Sequence, residues 1–282
     1  MHTTLAALNS FGSILVRYLG IGFVLHLCVY GHSTITFCII DLTKTQIMNR
    51  ITTPLITIAF LLCQGLYADD NALPADKTSA GWQMLFDGKT LEGWSIKSGF
   101  ATYKVEDGSI VGTTVKGSPN TFLCSDKKFG DFELTFEVKF DQFFNSGCQI
   151  RSKLRGDKYG GRAYGPQVEI EKSPGQSGFI YGEAAGGWQS PEPKSKDKAV
   201  NTHSHFKNDG WNQYRVLAVG QKIQTWINGN AVADLTYDEQ RYKDNSEGFI
   251  GLQVHGVGNN PKEMSVRWKN IYIRKVEPAG DK

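Results

Sequence analysis

Residues 131–140 alternate strictly. Phe132, Leu134, Phe136, Val138 and Phe140 share one side, while Glu133, Thr135, Glu137 and Lys139 share the other. This period of two predicts a half-buried strand and leaves no room for a helix. Shorter runs of the same kind predict strands at 103–105, 109–114, 121–124, 147–151, 167–171, 178–181, 211–219, 222–227, 231–235, 248–255 and 264–275. In the last of these, Met264, Val266 and Trp268 share a face and Ile271 and Ile273 continue on the other, so a bulge is expected near Lys269-Asn270. Turn signals separate the runs: Asp87-Gly88, Asp107-Gly108, Asn208-Asp209-Gly210 and Asn228-Gly229, the last a hairpin signature. No helical periodicity is sustained after residue 80. The expectation is an all-β domain, a two-sheet antiparallel sandwich of jelly-roll type.

The first 68 residues follow a different pattern. Residues 19–40 contain no Lys, Arg, Asp or Glu and are long enough to span a bilayer. A second apolar run, 51–62, is preceded by Met48-Asn49-Arg50 and followed by Leu66-Tyr67-Ala68 and then Asp69-Asp70. That order resembles a secretory signal peptide at 48–68. The preferred reading makes 1–47 a spurious or non-structural extension ahead of the true start at Met48. A transmembrane anchor at 19–40 and a lipid-anchored Cys63 are the alternatives. A polar tether (69–80), a sandwich domain (81–276) and a short tail (277–282) complete the organisation, and the exported product is expected to be secreted or periplasmic, without stable membrane insertion.

Composition agrees with a folded domain. The 282 residues are 40% hydrophobic and 12% aromatic, with a formal net charge of +3. The first 68 residues hold Arg17, Lys44 and Arg50 against Asp41, leaving 28 basic and 27 acidic residues, a net charge of about +1. So even a balance gives no electrostatic footprint for nucleic acid; it suits a neutral sugar. Of the five cysteines, only Cys124 and Cys148 lie outside this segment. They could pair in an exported protein or lie buried as free thiols.

Three strands carry polar residues of unusual kind on one face. Gln149 and Arg151 alternate with Cys148 and Ile150; Gln167, Glu169 and Glu171 with Val168 and Ile170; Gln253 and His255 with Leu252 and Val254. Half of every sandwich strand is solvated, so alternation alone means little. The identities matter more: these groups suit proton transfer and hydrogen bonding to sugar hydroxyls. Trp188, in a Gly-rich and Pro-ended stretch read as a loop, is a candidate for stacking on a sugar ring. Trp82, Trp94, Trp211, Trp226 and Trp268 are expected in the core.

The segment Leu85-Phe86-Asp87-Gly88-Lys89-Thr90-Leu91-Glu92-Gly93-Trp94 resembles the "LFNGKDLxGW" opening of the 3-keto-disaccharide hydrolase family. Asn145-Ser146-Gly147 with Arg151, then Trp211-Asn212, Ile227-Asn228-Gly229, residues 250–256 and Trp268-Lys269-Asn270-Ile271 follow that family's motifs in order. Its strand motif "EVQILD" stands here as Gln167-Val168-Glu169-Ile170-Glu171, with the Glu and Gln positions exchanged. The resemblance implies a concanavalin A-like sandwich and cleavage of 3-keto-glycosides. A ketone at C3 acidifies the C2 hydrogen, and the C1 substituent can then leave by elimination, followed by hydration. Such a route needs a base, an electrophile at the C3 oxygen and an acid. The candidates are Glu169 or Glu171 as base, Arg151 or a divalent cation at the enolate, and His255 as acid or metal ligand, with Glu169 a second metal candidate. A two-carboxylate glycosidase route through Glu169 and Glu171 stays open. Asn145, Gln149, Gln167, Trp188 and Gln253 are the substrate-binding candidates, and a non-catalytic carbohydrate-binding module is the alternative.

Overall fold

The computed structural model describes residues 71–73, 77, 80–190, 202–260 and 262–277, together with the backbone of three N-terminal strands. The chain divides into two compact units, Met1–Tyr67 and Ala68–Lys282. In the first, β1 (Gly12–Tyr18), β2 (Ile21–Tyr30) and β3 (Thr34–Asp41) form an antiparallel sheet in that order. The uncharged run at 19–40 therefore lies mostly in strands. Among the described residues no helix is long and apolar enough to cross a membrane. The proposed signal peptide at 48–68 and most of the tether lie outside the described residues.

The second unit is a sandwich of two antiparallel sheets. Its first strands are β4 (Gln83–Met84), β5 (Trp94–Lys97), β6 (Thr102–Glu106), β7 (Ser109–Thr113), β8 (Thr121–Ser125), β9 (Phe132–Phe140) and β10 (Ser146–Arg155). There follow β11 (Arg162–Ile170), β12 (Ile180–Glu183), β13 (Gly187–Ser190), β14 (Asn212–Val219) and β15 (Lys222–Ile227). The last are β16 (Asn230–Thr236), β17 (Phe249–Val254) and β18 (Ser265–Lys275). One sheet runs β13-β12-β11-β10-β17-β8-β5 and the other β16-β15-β14-β9-β18-β7-β6, with β4 added to β18.

The alternation read from the sequence explains the core. Phe132, Leu134, Phe136 and Val138 of β9 meet Cys148, Ile150, Val168, Ile170 and Leu252 from the other sheet. Asn228 and Gly229 turn the β15–β16 hairpin with φ of 50° and 82°, the left-handed pair such a turn needs. The β18 bulge falls where expected: the register with β9 shifts between Lys269 and Tyr272, with Asn270 at φ 51°.

Two expectations need correction. A single-turn helix, α1 (Glu239–Asp244), interrupts the strands; Asp238 caps it by accepting the Arg241 N–H, and none of its residues is buried, so no apolar stripe announced it. Only Trp94 and Trp268 of the five tryptophans expected in the core are buried. Trp226 stands opposite Arg215 on the outer face, its ring 4.1 Å from the guanidinium, while Trp82 and Trp211 carry Lys77 and Lys269 at 4.0 Å and 4.7 Å. Their aromatic surface is covered by cations instead of core packing. Of the two states left open for Cys124 and Cys148, the structure has the second: both are free and buried. They belong to separate apolar clusters: Cys148 enters the sandwich core, whereas Cys124 packs with Phe122, Ala163 and Phe249.

Candidate functional site

The face of the seven-stranded sheet turned away from the core is built by register. Gln149 pairs with Gln167 on one side and Gly251 on the other, Gln167 pairs with Tyr181, and Tyr181 pairs with Trp188. One row along, Gly147 stands opposite Glu169, and Gln253 opposite Phe122. The three polar strands identified in the sequence are therefore neighbours. Trp188 belongs to the edge strand β13, not to a loop, and meets the Tyr181 ring edge-on at 5.3 Å. Its flanking glycines end the chain's turn and permit a strand the composition had obscured.

This face is partly roofed. The distal β10–β11 hairpin reaches across β17 and β8 to the end of β5. There Ser98 N–H donates to the Tyr159 carbonyl (2.9 Å), Ser98 Oγ donates to the Gly161 carbonyl (2.9 Å), and Ala163 N–H donates to Ser98 Oγ (2.6 Å). Beneath this flap Ala163 packs on Phe122, Cys124 and Phe249. Glu183, at the end of β12, is buried. It pairs with Arg162 of the flap at 2.6 Å, and Asn120 Nδ2 lies 3.5 Å from both of its oxygens. Sequence reasoning missed Glu183, Arg162 and Asn120. The alternation Tyr181-Gly182-Glu183 carried the signal for the first, because Tyr181 shares the face of Gln167.

Glu169 is the central group. Only 4% exposed, it accepts a hydrogen bond from Asn145 Nδ2 on one oxygen and from Gln167 Nε2 (3.4 Å) on the other. The Gln167 amide in turn accepts from Gln149 Nε2 at 3.0 Å, and Gln149 accepts from Ser152 Oγ. Burial pushes the Glu169 carboxyl up to about 8; the Asn145 hydrogen bond opposes this, and repulsion from Glu171 and Glu183 adds to it. At neutral pH it is a carboxylic acid with a proton to give.

His255 follows β17 and is half-buried. Its Nδ1 lies 2.8 Å from the Gly256 carbonyl, while the Gly256 N–H is held by Asn120 Oδ1 at 2.9 Å. In the neutral ring Nδ1 is then the donor, and Nε2 carries the lone pair. Glu171 lies just past the end of β11 and caps the following turn by accepting the Gln176 N–H, while its own N–H donates to Ser177 Oγ at 2.8 Å.

Arg151 is not on this face. Four steps of β10, from Gln149 to Lys153, oppose three of β11, from Gln167 to Tyr164, and Arg151 takes φ 47° in the resulting bulge. The side chain is fully buried and all three guanidinium nitrogens are engaged, donating to the carbonyls of Gly130 (2.7 Å) and Gly220 (2.8 Å) and to Asp131 Oδ1 (2.7 Å). It pins the β8–β9 and β14–β15 turns, away from the Glu169 face where an enolate would form. The bulge defeats the alternation that put it beside Gln149.

The residues do not compose a divalent cation site. Among the described residues no three His, Cys, Asp or Glu side chains converge as a ligand set. Both oxygens of Glu169 are engaged by side-chain amides, Asn145 on one and Gln167 on the other.

Comparison with known proteins agrees with this architecture. Among solved structures, a candidate glycosyl hydrolase from Parabacteroides distasonis superposes with a TM-score of 0.52 at 21% identity, over 74% of this chain and 100% of its own. A second from the same organism gives 0.43 at 20% identity, covering 69% and 99%. The carbohydrate-binding module CBM66 of Bacillus subtilis gives 0.44 at 15%, covering 65% and 96%. At such identities the first likeness bears on the fold. No curated protein matches the chain. Residues 81–274, which hold all of the sandwich but the last residue of β18 and every residue of the face just described, match one family. The chain belongs to the 3-keto-alpha-glucoside-1,2-lyase-like domain family.

Proposed function

We propose that this protein is an exported enzyme that cleaves the glycosidic bond of 3-keto-glycosides by elimination and hydration. The observation that carries the reading is Glu169, a buried carboxyl held in its acid form by its surroundings. Ordinary lectin faces have no need of such a group, whereas an acid poised near neutrality is what departure of a glycosidic oxygen requires. The family's name supports the lyase chemistry.

The roles follow from protonation and hydrogen bonding. His255 Nε2 removes the C2 proton, which the neighbouring ketone acidifies. The electron pair forms the C1–C2 double bond as the C1–O bond breaks, and Glu169 gives its proton to the departing oxygen. Water then adds across that double bond, its proton to C2 and its hydroxyl to C1, giving the free 3-keto sugar. Asn145 and Gln167 hold the Glu169 carboxyl in place; Trp188 and Tyr181 offer an apolar wall for a sugar ring. Export rests on the signal-like segment 48–68, and a mature N-terminus at Asp69 on protein recovered outside the cytoplasm is the outcome that supports it.

The test of the activity is release of an aglycone from a 3-keto-α-glucoside, with the unoxidised glucoside as control. Release from the oxidised sugar alone is expected. The Trp188–Tyr181 wall also suits a binding module without catalysis. Saturable sugar binding with no turnover of any 3-keto-glycoside would select that reading.

A further inference from the structure

Gln253 stands on the Glu169 face of β17, because Leu252 and Val254 on either side of it enter the core. Its backbone is secured separately: the carbonyl accepts from Ser146 Oγ at 2.7 Å. The side chain is fully buried, and among the described residues neither Nε2 nor Oε1 has a hydrogen-bond partner. The other amides nearby are all engaged: Gln149 with Gln167, Gln167 with Glu169, Asn145 with Glu169, Asn120 with Gly256. A buried amide with both ends unmet is among the costlier defects in a folded protein, and a leucine or methionine would avoid it. Such a group is intelligible where a ligand completes it.

We propose that Gln253 selects the oxidised sugar ring by reading an α-hydroxyketone edge, with Nε2 donating to the C3 carbonyl oxygen and Oε1 accepting from the adjacent hydroxyl. A ketone oxygen only accepts, so the pairing gives each end of the amide a partner of matching character. A hydroxyl in its place would bring a second O–H donor into a closed space, and the unoxidised sugar would be disfavoured. The same contact sets Nε2 beside the oxygen that gains charge when the C2 proton leaves. This assignment rests on the proposed cleavage of 3-keto-glycosides.

The test compares the full-length wild type with Gln253→Leu, measuring thermal midpoint together with KM and kcat on a 3-keto-glucoside, and inhibition by the parent glucoside. The expected result is a midpoint unchanged or raised, a KM increased at least about tenfold, and weaker preference for the oxidised sugar. Gln253→Met repeats the measurement with an unbranched side chain if Leu lowers the midpoint. A lowered midpoint in both variants with KM unchanged makes the amide a structural, water-bridged group and overturns the assignment. Unchanged KM and midpoint overturn it equally. A wild type that neither binds nor cleaves any 3-keto-glycoside removes the cleavage reading on which the assignment stands, and overturns both.

Discussion

Gly147 stands directly opposite Glu169 on the neighbouring strand, and the Gln167 side chain fills the space above it: a Cβ at Gly147 would lie 2.4 Å from Gln167 Cδ. The missing side chain is thus what lets the Gln149–Gln167–Glu169 chain close. Gly147→Ala is expected to push Gln167 off the carboxyl, lower kcat/KM on a 3-keto-glucoside at least tenfold, and lower the thermal midpoint by a few degrees, in line with about 1 kcal/mol of overpacking. Parallel calorimetry and steady-state kinetics check this.

Arg151 is expected to matter for folding and not for chemistry. Removing its guanidinium leaves the Gly130 and Gly220 carbonyls without that donor and the Asp131 carboxylate without its cation, with the Gly220 N–H still donating to it, so Arg151→Met should cost about 3 kcal/mol or more in denaturant unfolding. The KM of the folded fraction should be unchanged. A large rise in KM with normal stability would return Arg151 to the site.

Glu169 also makes stability depend on pH. Its folded value is raised from an ordinary 4.5 to about 8, so the folded state keeps a proton that the unfolded chain releases. The stabilisation is complete below the unfolded value and is lost as pH rises through the folded one. Urea unfolding should show stability falling between about pH 5 and 8, by at most about 1.4 kcal/mol per unit. Glu169→Gln should lack that slope.

Burial pushes the thiols of Cys124 and Cys148 up, and neither is bridged. Alkylation followed by peptide mass mapping should find both unmodified in the native protein and both labelled after denaturation, with no peptide linking the two.

Much of this was legible in the sequence, for physical reasons that also mark where legibility stops. Strict alternation in 131–140 and 248–255 fixed which side chains enter the core, and the same alternation gathered Gln149, Gln167, Glu169 and Gln253 on one face. It failed at Arg151, since one extra residue in a bulge reverses every side chain after it until the partner strand compensates. It missed the tryptophan pairings because Trp226 and Arg215 are eleven residues apart and become partners only through strand pairing. Glu183 and Asn120 escaped notice because their approach depends on the fold of the flap, which no local pattern encodes.

The central claim is that Glu169, in its acid form, protonates the departing oxygen. The most direct measurement is the pH profile of kcat/KM for aglycone release from a 3-keto-glucoside by wild type and Glu169→Gln. The wild type is expected to lose activity as pH rises through about 8, and the variant to fall by about a hundredfold or more with that alkaline limb gone. A folded Glu169→Gln protein that releases aglycone at the wild-type rate, with the same profile, would contradict it.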